Sequence, residues 1–254
     1  MSIAVVQIRK EPFYRRNAVE VGLRKLGYAI DPVGTPRPKD KRDLLVLWTK
    51  KAGVEEQQAD AWERNGGSVI VMENGYLQKV DKTYYAISAH GHNGSGWFPI
   101  GNEDRFSKLG FELKPWRETE GYRLICGQRS IGSASMASPP MWGEKLAERF
   151  KSMGVPHRFR KHPGNFASKT PLVDDLKGAS VCTIWSSSAG VRALVEGVQV
   201  HHSAPNWVCA AGNGPVARTQ ALHRMAHAQW HHEEIATGEP FARILEDVDA
   251  IQWA

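Results

Sequence analysis

The stretch SVCTIWSSSAGVRALVEGVQVHH, Ser180–His202, decides the fold of the second half of the chain. SVCTIW is a short apolar run rich in β-branched residues. SAGVRALVEG opens on small residues and carries apolar side chains at helical spacing, and VQVHH reads as a strand again. Two strands joined through a helix of this length pair in parallel by a right-handed crossover. The turn before the helix holds three consecutive serines, Ser186, Ser187 and Ser188, although one is enough for a cap. Ser188 is the expected cap. The hydroxyls of Ser186 and Ser187 then stand beside the unpaired N–H groups and positive dipole end of the helix, a setting that holds phosphate. Gly190 would let a ligand approach the backbone closely. A polar strand-to-helix turn with no ligand is the plainer reading of the same residues.

Two further turns in this half fit the same use. RKHPG, Arg160–Gly164, follows a strand-like run, and Pro163 and Gly164 force an abrupt turn that fixes the His162 ring at the sheet edge. Imidazole donates to phosphate when protonated and bonds a base or ribose when neutral. GQRSIGS, Gly127–Ser133, follows the first strand of this half, and Arg129 in a glycine- and hydroxyl-rich loop suits a guanidinium clamp on phosphate. It is neither a Walker loop nor a GxGxxG fingerprint. Ligands in open α/β sheets bind at carboxyl strand ends, where all three turns are expected.

The first third has the same rhythm: SIAVVQI, a helix over 14–26, DLLVLW, a helix over 54–65, and GSVIVME. PVGTPRPKDKRD, residues 32–43, reads as a proline-rich basic connector. From 73 to 120 the pattern dissolves into sequence rich in glycine, histidine and tryptophan, notably AHGHNGSGW. Irregular segments of that length inside a compact domain are usually functional or mobile. Glu73 follows the strand VIVM, and His90, His92 and Asn93 lie in the glycine-rich loop beyond it. A base that deprotonates a hydroxyl must be a carboxylate or imidazole within reach, so Glu73, His90 and His92 are the candidate catalytic residues. Asn93, Gly94 and Trp97 are the candidate acceptor contacts. A structural carboxylate is an equal reading of Glu73.

The rhythm restarts at GYRLICGQR, with a helix over 142–152, a short turn at PLVDDLKG and a helix over 189–196. From about 215 onward the chain reads as helical. Late histidines His223, His227 and His231 recur at i, i+4 and i+8, which suggests a metal on one helix face. No HExxH accompanies them and the trio would spread over about 12 Å, so no metal is expected. Trp97, Trp116, Trp142 and Trp207 are suited either to stacking on bases or to core packing.

Lysine and arginine exceed aspartate and glutamate by 33 to 27, a formal charge of +6, which favours an anionic partner. Three scattered cysteines form no CxxC pair, so neither a disulfide framework nor a cysteine zinc site is expected, and a cytoplasmic, reducing location is. The longest apolar runs, LLVLW and SVIVM, are far below a membrane span, and no signal-peptide pattern opens the chain, so a soluble protein without a membrane partner is expected.

A strand with RKHPG, then a strand ending in Ser186–Ser188 with AGVRALVEGVQV behind it, resembles the nucleotide-sugar-binding half of GT-B glycosyltransferases. The resemblance is nearest to the Kdo transferase-like and bacterial sialyltransferase-like groups, and extends to small glycosyltransferase-like proteins of bacteriophages. The Glu-x-Gly-Tyr of MENGYL, the Gly-x-Asn-Gly of GHNG and the late AQWHHEEIATG belong to that likeness. It implies donor contacts from His162, Pro163, Ser186, Ser187 and Ser188, and metal-independent transfer from a nucleotide sugar, expected to be UDP-linked, with no cofactor. It further implies a hydroxymethylated pyrimidine in phage DNA, hydroxymethylcytosine or hydroxymethyluracil, as acceptor. A polysaccharide or small-molecule acceptor, or a non-catalytic nucleotide- or DNA-binding module, are the alternatives. Where many relatives carry a ribose-binding glutamate before Ala-Leu, this chain has Arg192, with Glu196 four residues on. The expected architecture is α/β with two Rossmann-like units and a cleft between them: an acceptor-binding domain over 1–120, a donor-binding domain over 121–236 and a C-terminal helix over 237–254.

Overall fold

The computed structural model describes residues 1–31, 37–77, 84–117, 120–164, 170–210 and 212–246. The start of the basic connector and the end of the expected C-terminal helix lie outside them. The first unit runs β1 (Ile3–Gln7), α1 (Arg16–Lys25), β2 (Ala29–Asp31), β3 (Leu44–Leu47), α2 (Val54–Arg64), β4 (Ser68–Asn74), β5 (Tyr84–Ala89) and α3 (Glu103–Leu109). The second runs β6 (Tyr122–Cys126), α4 (Trp142–Ser152), β7 (His157–Arg160), α5 (Leu172–Lys177), β8 (Ala179–Ile184), α6 (Ser188–Val195) and β9 (Gln199–His202). The chain ends in α7 (Pro215–His227), β10 (Gln229–His231), α8 (His232–Thr237) and α9 (Glu239–Glu246). None of the described helices is long and apolar enough to cross a membrane.

Two sheets result. The second is wholly parallel in the order β7-β6-β8-β9. The first has the order β10-β5-β4-β3-β1-β2, parallel from β4 to β2 and antiparallel at β4–β5 and β5–β10. LLVL of β3 is buried on both faces, as a central strand between helical layers must be. Val5, Leu45 and Val69 pack towards Ala59 and Trp62 of α2, while Ala4, Val46 and Ile70 face Val19 and Leu23 of α1. Leu124, Cys182, Leu194 and Val200 centre the core of the second unit.

Four expectations change. The irregular stretch 73–120 contains β5 and α3. PLVDDLKG forms the short helix α5 rather than a turn. The helical ending is interrupted by β10. That three-residue strand carries the chain back to the first sheet, where Trp230 pairs with Tyr85, so the segment expected to stay with the second unit through 236 crosses over at Gln229. α8 then packs on α1, and Gly22 allows the contact: a Cβ there would lie 2.1 Å from the Ile235 carbonyl oxygen. The crossing strand is too short to show a period.

In both sheets the order reverses once. After β1 the chain moves to one side, to β2, and after β3 to the other, to β4; likewise β6 leads to β7 and β8 to β9. Loops that diverge from neighbouring strands leave a crevice between their carboxyl ends, the usual ligand position in such sheets.

Candidate active site

Both crevices open into one cavity of about 470 Å³. The first sheet contributes Arg9 and Tyr14 after β1, Trp48, Thr49 and Lys51 after β3, and Glu73–Tyr76 at the end of β4; His92 and Asn93 close the same side. The second contributes Gln128 and Arg129 after β6, His162 after β7 and Ser186–Ser188 after β8. A smaller cavity of about 350 Å³ shares Gly75, Tyr76, His162, Ser187 and Ser188, and adds Leu77, Phe111, Pro163, Leu172 and Arg192.

The serine turn divides its labour differently from expectation. Ser187, with extended backbone, is the N-cap, and its Oγ accepts from the Ala189 N–H at 3.2 Å. Ser188 is therefore the first helical residue and is the exposed hydroxyl, while Ser186 is buried. The Ser186 N–H donates to Gln128 Oε1 and the Gln128 side-chain amide donates to Ser186 Oγ, both at 2.9 Å. Gln128 thus fixes the turn, and Ser186 serves the scaffold first. Gly190 lines neither cavity. A Cβ there would lie 2.6 Å from Ile184 Cδ1 and 2.7 Å from Trp207, so its smallness lets α6 close on Trp207, not on a ligand.

His162 faces both cavities, and Pro163 only the smaller. The Gly164 N–H donates to His162 Nδ1 at 2.9 Å, so the neutral ring carries its proton on Nε2. Burial lowers the His162 imidazole below its ordinary value, and the Arg129 charge adds to this. Arg192, which stands where the resemblance leads one to expect an acid, pairs with the acid four residues on, Glu196. Its Nη2 lies 2.7 Å from Glu196 Oε1, and Lys114 and Arg117 hold the other carboxylate oxygen. Burial raises the Glu196 carboxyl, but the Lys114 hydrogen bond and the Arg192 charge outweigh it and leave it below the usual range. Glu196 is structural, and it is not among the residues lining either cavity.

On the opposite wall, the Tyr76 hydroxyl donates to the Glu73 carboxylate and accepts from the Asn93 N–H at 2.8 Å. The Asn93 side-chain amide donates to the Ser186 carbonyl, which links the carboxylate to the serine turn of the other unit. Burial, and then the charge of Glu73, push the Tyr76 phenol well above its ordinary value, so it remains a proton donor in that pair. Tyr76 is itself positioned by buried Gln229, whose Oε1 accepts from the Tyr76 N–H at 2.7 Å and whose amide donates to the Met225 carbonyl at 3.1 Å. Gly75 must be glycine beside it, because a Cβ would lie 2.8 Å from both Gln229 Oε1 and the Tyr84 carbonyl.

The other loop candidates separate. His92 lines the cavity, and its Nδ1 accepts from the Lys50 N–H at 3.4 Å. His90, at φ 68°, turns away to Glu63, 3.0 Å from its Nδ1, and lines neither cavity. Asn93 lines the cavity; Gly94 packs on the Asn206–Trp207 backbone and Trp97 bridges to Ala89 within the first core. The helical histidine trio is broken, because His223 and His227 belong to α7 and His231 to β10. His231, His232 and Glu233 instead come together. The loops after β1 and β3, with Arg9, Tyr14 and Trp48, were not singled out from sequence. The signal for them is their place at the end of two neighbouring parallel strands.

No protein-family model matches the chain, and no curated protein matches it in sequence. Among solved structures, the β-Kdo 2,7 transferase of Thermosulfurimonas dismutans KpsC superimposes over 97% of this chain and 100% of that one, at 13% identity and a TM-score of 0.52. The two share a fold. The β-Kdo 2,4 transferase of the same KpsC matches over 90% of each chain, at 15% identity and a TM-score of 0.49. The architecture is thus two Rossmann-like units, a fold shared with the 2,7 transferase structure at almost no shared sequence.

Proposed function

We propose that the chain transfers a sugar from a nucleotide-sugar donor to a hydroxyl acceptor. The observation that carries this reading is the placing of Glu73 and the α6 helix start, two features of opposite chemistry from different sheets, on one cavity. The glycosyltransferase fold is consistent with it. Donor phosphates lie against the first N–H groups of α6 and the Ser188 hydroxyl, with the His162 Nε2–H and the Arg129 guanidinium neutralising the charge that develops on the leaving nucleotide. These side chains supply the positive charge, so the proposed transfer needs no metal. The acceptor oxygen attacks the anomeric carbon, the bond from that carbon to the phosphate oxygen breaks, and the acceptor proton passes to a base.

Glu73 is that base. His90 is committed to Glu63, and His92, accepting at Nδ1, carries its neutral-state proton on Nε2 and so offers a donor where a base needs a lone pair. The finer reading is a UDP-linked donor and a hydroxymethylated pyrimidine of DNA as acceptor, supported by the net positive charge and by Arg9, Lys51 and Arg129 around the cavity. Such a base must leave its stack to reach Glu73. A glycan acceptor is the second reading, favoured by the fold shared with a Kdo transferase. The test is thermal stabilisation by a panel of nucleotide sugars, followed by mass analysis of hydroxymethylated DNA and of oligosaccharides after incubation with those that bind. Stabilisation by none of them overturns the proposal.

A further inference from the structure

The crevice of the first sheet is lined by side chains that the transfer chemistry does not use. After β1, Pro12–Tyr14 forms a 3-10 turn that ends on Arg15 at φ 53°. This turn is held from below, where buried Tyr85 donates its hydroxyl to the Phe13 carbonyl at 2.8 Å and Arg15 Nε donates to that hydroxyl at 3.3 Å. Three rings cluster on it. Tyr14 meets Trp48 edge to face with centroids 4.7 Å apart, and Phe13 lies 5.3 Å from Tyr14 and 5.9 Å from Trp48. Tyr14 and Trp48 line the larger cavity, and Phe13 beside them is 46% exposed. The Arg9 guanidinium lies 5.5 Å from the Tyr14 ring centroid and donates to its hydroxyl at 3.3 Å, and Lys51 lines the same wall. The neighbouring Glu55 carboxylate is engaged locally, accepting from the Lys51 N–H at 3.2 Å and the Thr49 hydroxyl at 3.3 Å.

Single exposed rings are ordinary on a protein surface. Rings clustered on a braced turn, continuous with a polar cavity and edged by cations, match a ligand that has both a π-face and negative charge. We propose that Phe13, Tyr14 and Trp48, with Arg9 and Lys51, form a subsite for an unpaired nucleobase and its flanking phosphates in a single-stranded or locally opened polynucleotide. The subsite lies across from the serine turn, so it deepens the transfer reading, and rests on it, by placing the acceptor strand on the wall that carries Glu73.

The test is fluorescence anisotropy on the full chain with an end-labelled single-stranded deoxyoligonucleotide of about 12 residues. An abasic strand of the same length and polysialic acid serve as competitors. The intact strand is expected to bind at least about fivefold more tightly than the abasic one, and Phe13→Ala to remove most of that difference. Arg9→Ala is expected to weaken both strands and to flatten the salt dependence. Equal binding of abasic and intact strands, or no effect of Phe13→Ala, overturns the proposal. So does polysialic acid that outcompetes the oligonucleotide and responds to Phe13→Ala, which assigns the rings to an acidic glycan. Thermal stabilisation by nucleotide sugars, measured on the same variants, separates the two failures. If it is retained in Phe13→Ala while the oligonucleotide shows no ring dependence, only the subsite falls. If no nucleotide sugar stabilises the chain while ring-dependent strand binding persists, the transfer reading falls and the protein is a nucleic-acid-binding module.

Discussion

The two crevices of this molecule have the same topology and opposite chemistry. The one in the second sheet is built from Gln128, Arg129, His162 and the serine turn, small or polar groups around backbone N–H donors at a helix start. The one in the first sheet is built from Tyr14, Trp48, Arg9 and Lys51, with Glu73 beside them. A backbone site recognises charge, because any phosphate satisfies N–H groups and a dipole. A side-chain site of rings and long cations recognises shape as well. On the proposed reading, the leaving phosphate, the invariant part of the reaction, lies on one wall and the selective part on the other.

The largest expected effect breaks the assignment at its centre. Glu73→Gln keeps the acceptor for the Tyr76 hydroxyl but removes the base, so turnover is expected to fall by about 10²–10⁴-fold with donor affinity unchanged. Steady-state kinetics together with nucleotide-sugar titration check this. A loss of donor binding instead would move Glu73 to the other wall.

Arg129→Ala is the matching cut on the phosphate side, with donor affinity expected to fall by about ten- to one-hundredfold, as for a charged hydrogen bond worth ~1.5–3 kcal/mol. His162 sharpens the same wall through pH. Its imidazole, lowered from 6.5 by burial and by Arg129, is neutral in the free protein at neutral pH. A phosphate at Nε2 favours the imidazolium, whose added proton goes to Nδ1 in place of the Gly164 N–H bond, so binding takes up a proton. Affinity is then expected to rise as pH falls through the pKa of the phosphate-bound ring, and to level off once the free ring, lowered by burial and Arg129, is also charged. Calorimetric titration over that range, repeated on His162→Gln, checks the sign; the variant is expected to be flat.

Tyr76→Phe probes the link between the walls. It removes the hydrogen bond to Glu73 and leaves the Asn93 N–H without its acceptor, while Asn93 keeps its bond to Ser186. Stability is expected to fall by about 1–3 kcal/mol and turnover by about tenfold, with donor affinity retained. Denaturant unfolding and kinetics on one preparation separate the two effects.

What could be read in advance follows from which signals are local. Strands such as LLVL and VIVM, and helix 142–152, announce themselves by period and composition, and each lies where expected. β5 and β10 do not: β10 takes its strand character from pairing with β5 across more than a hundred residues, and β5 from lying between β4 and β10. The same distance hides Gln229. An isolated glutamine in AQWHH has no local mark of the buried role it takes under Tyr76. Turn positions were legible, since RKHPG, GQRSIGS and the serines all reach the cavities. The division of labour inside them was not. It depends on Gln128 reaching 58 residues along the chain to Ser186, and on Trp207 filling the space next to Gly190.

The smallest effect lies within the serine turn and separates scaffold from ligand contact one residue at a time. Ser187→Ala removes the cap on the Ala189 N–H and is expected to cost about 1 kcal/mol, a melting shift of roughly 2–4 °C for a chain of this size. Ser188→Ala removes an exposed hydroxyl at the first helical position, so it leaves the melting temperature of the free protein in place and weakens the donor by a few fold. The two variants each lose one hydroxyl oxygen, on adjacent residues, and should give opposite patterns in one thermal-shift experiment run with and without nucleotide sugar. If Ser188→Ala is instead the variant that melts early, the helix begins one residue later than Ser188, the cap returns to that residue, and Ser187 becomes the hydroxyl that faces the phosphate.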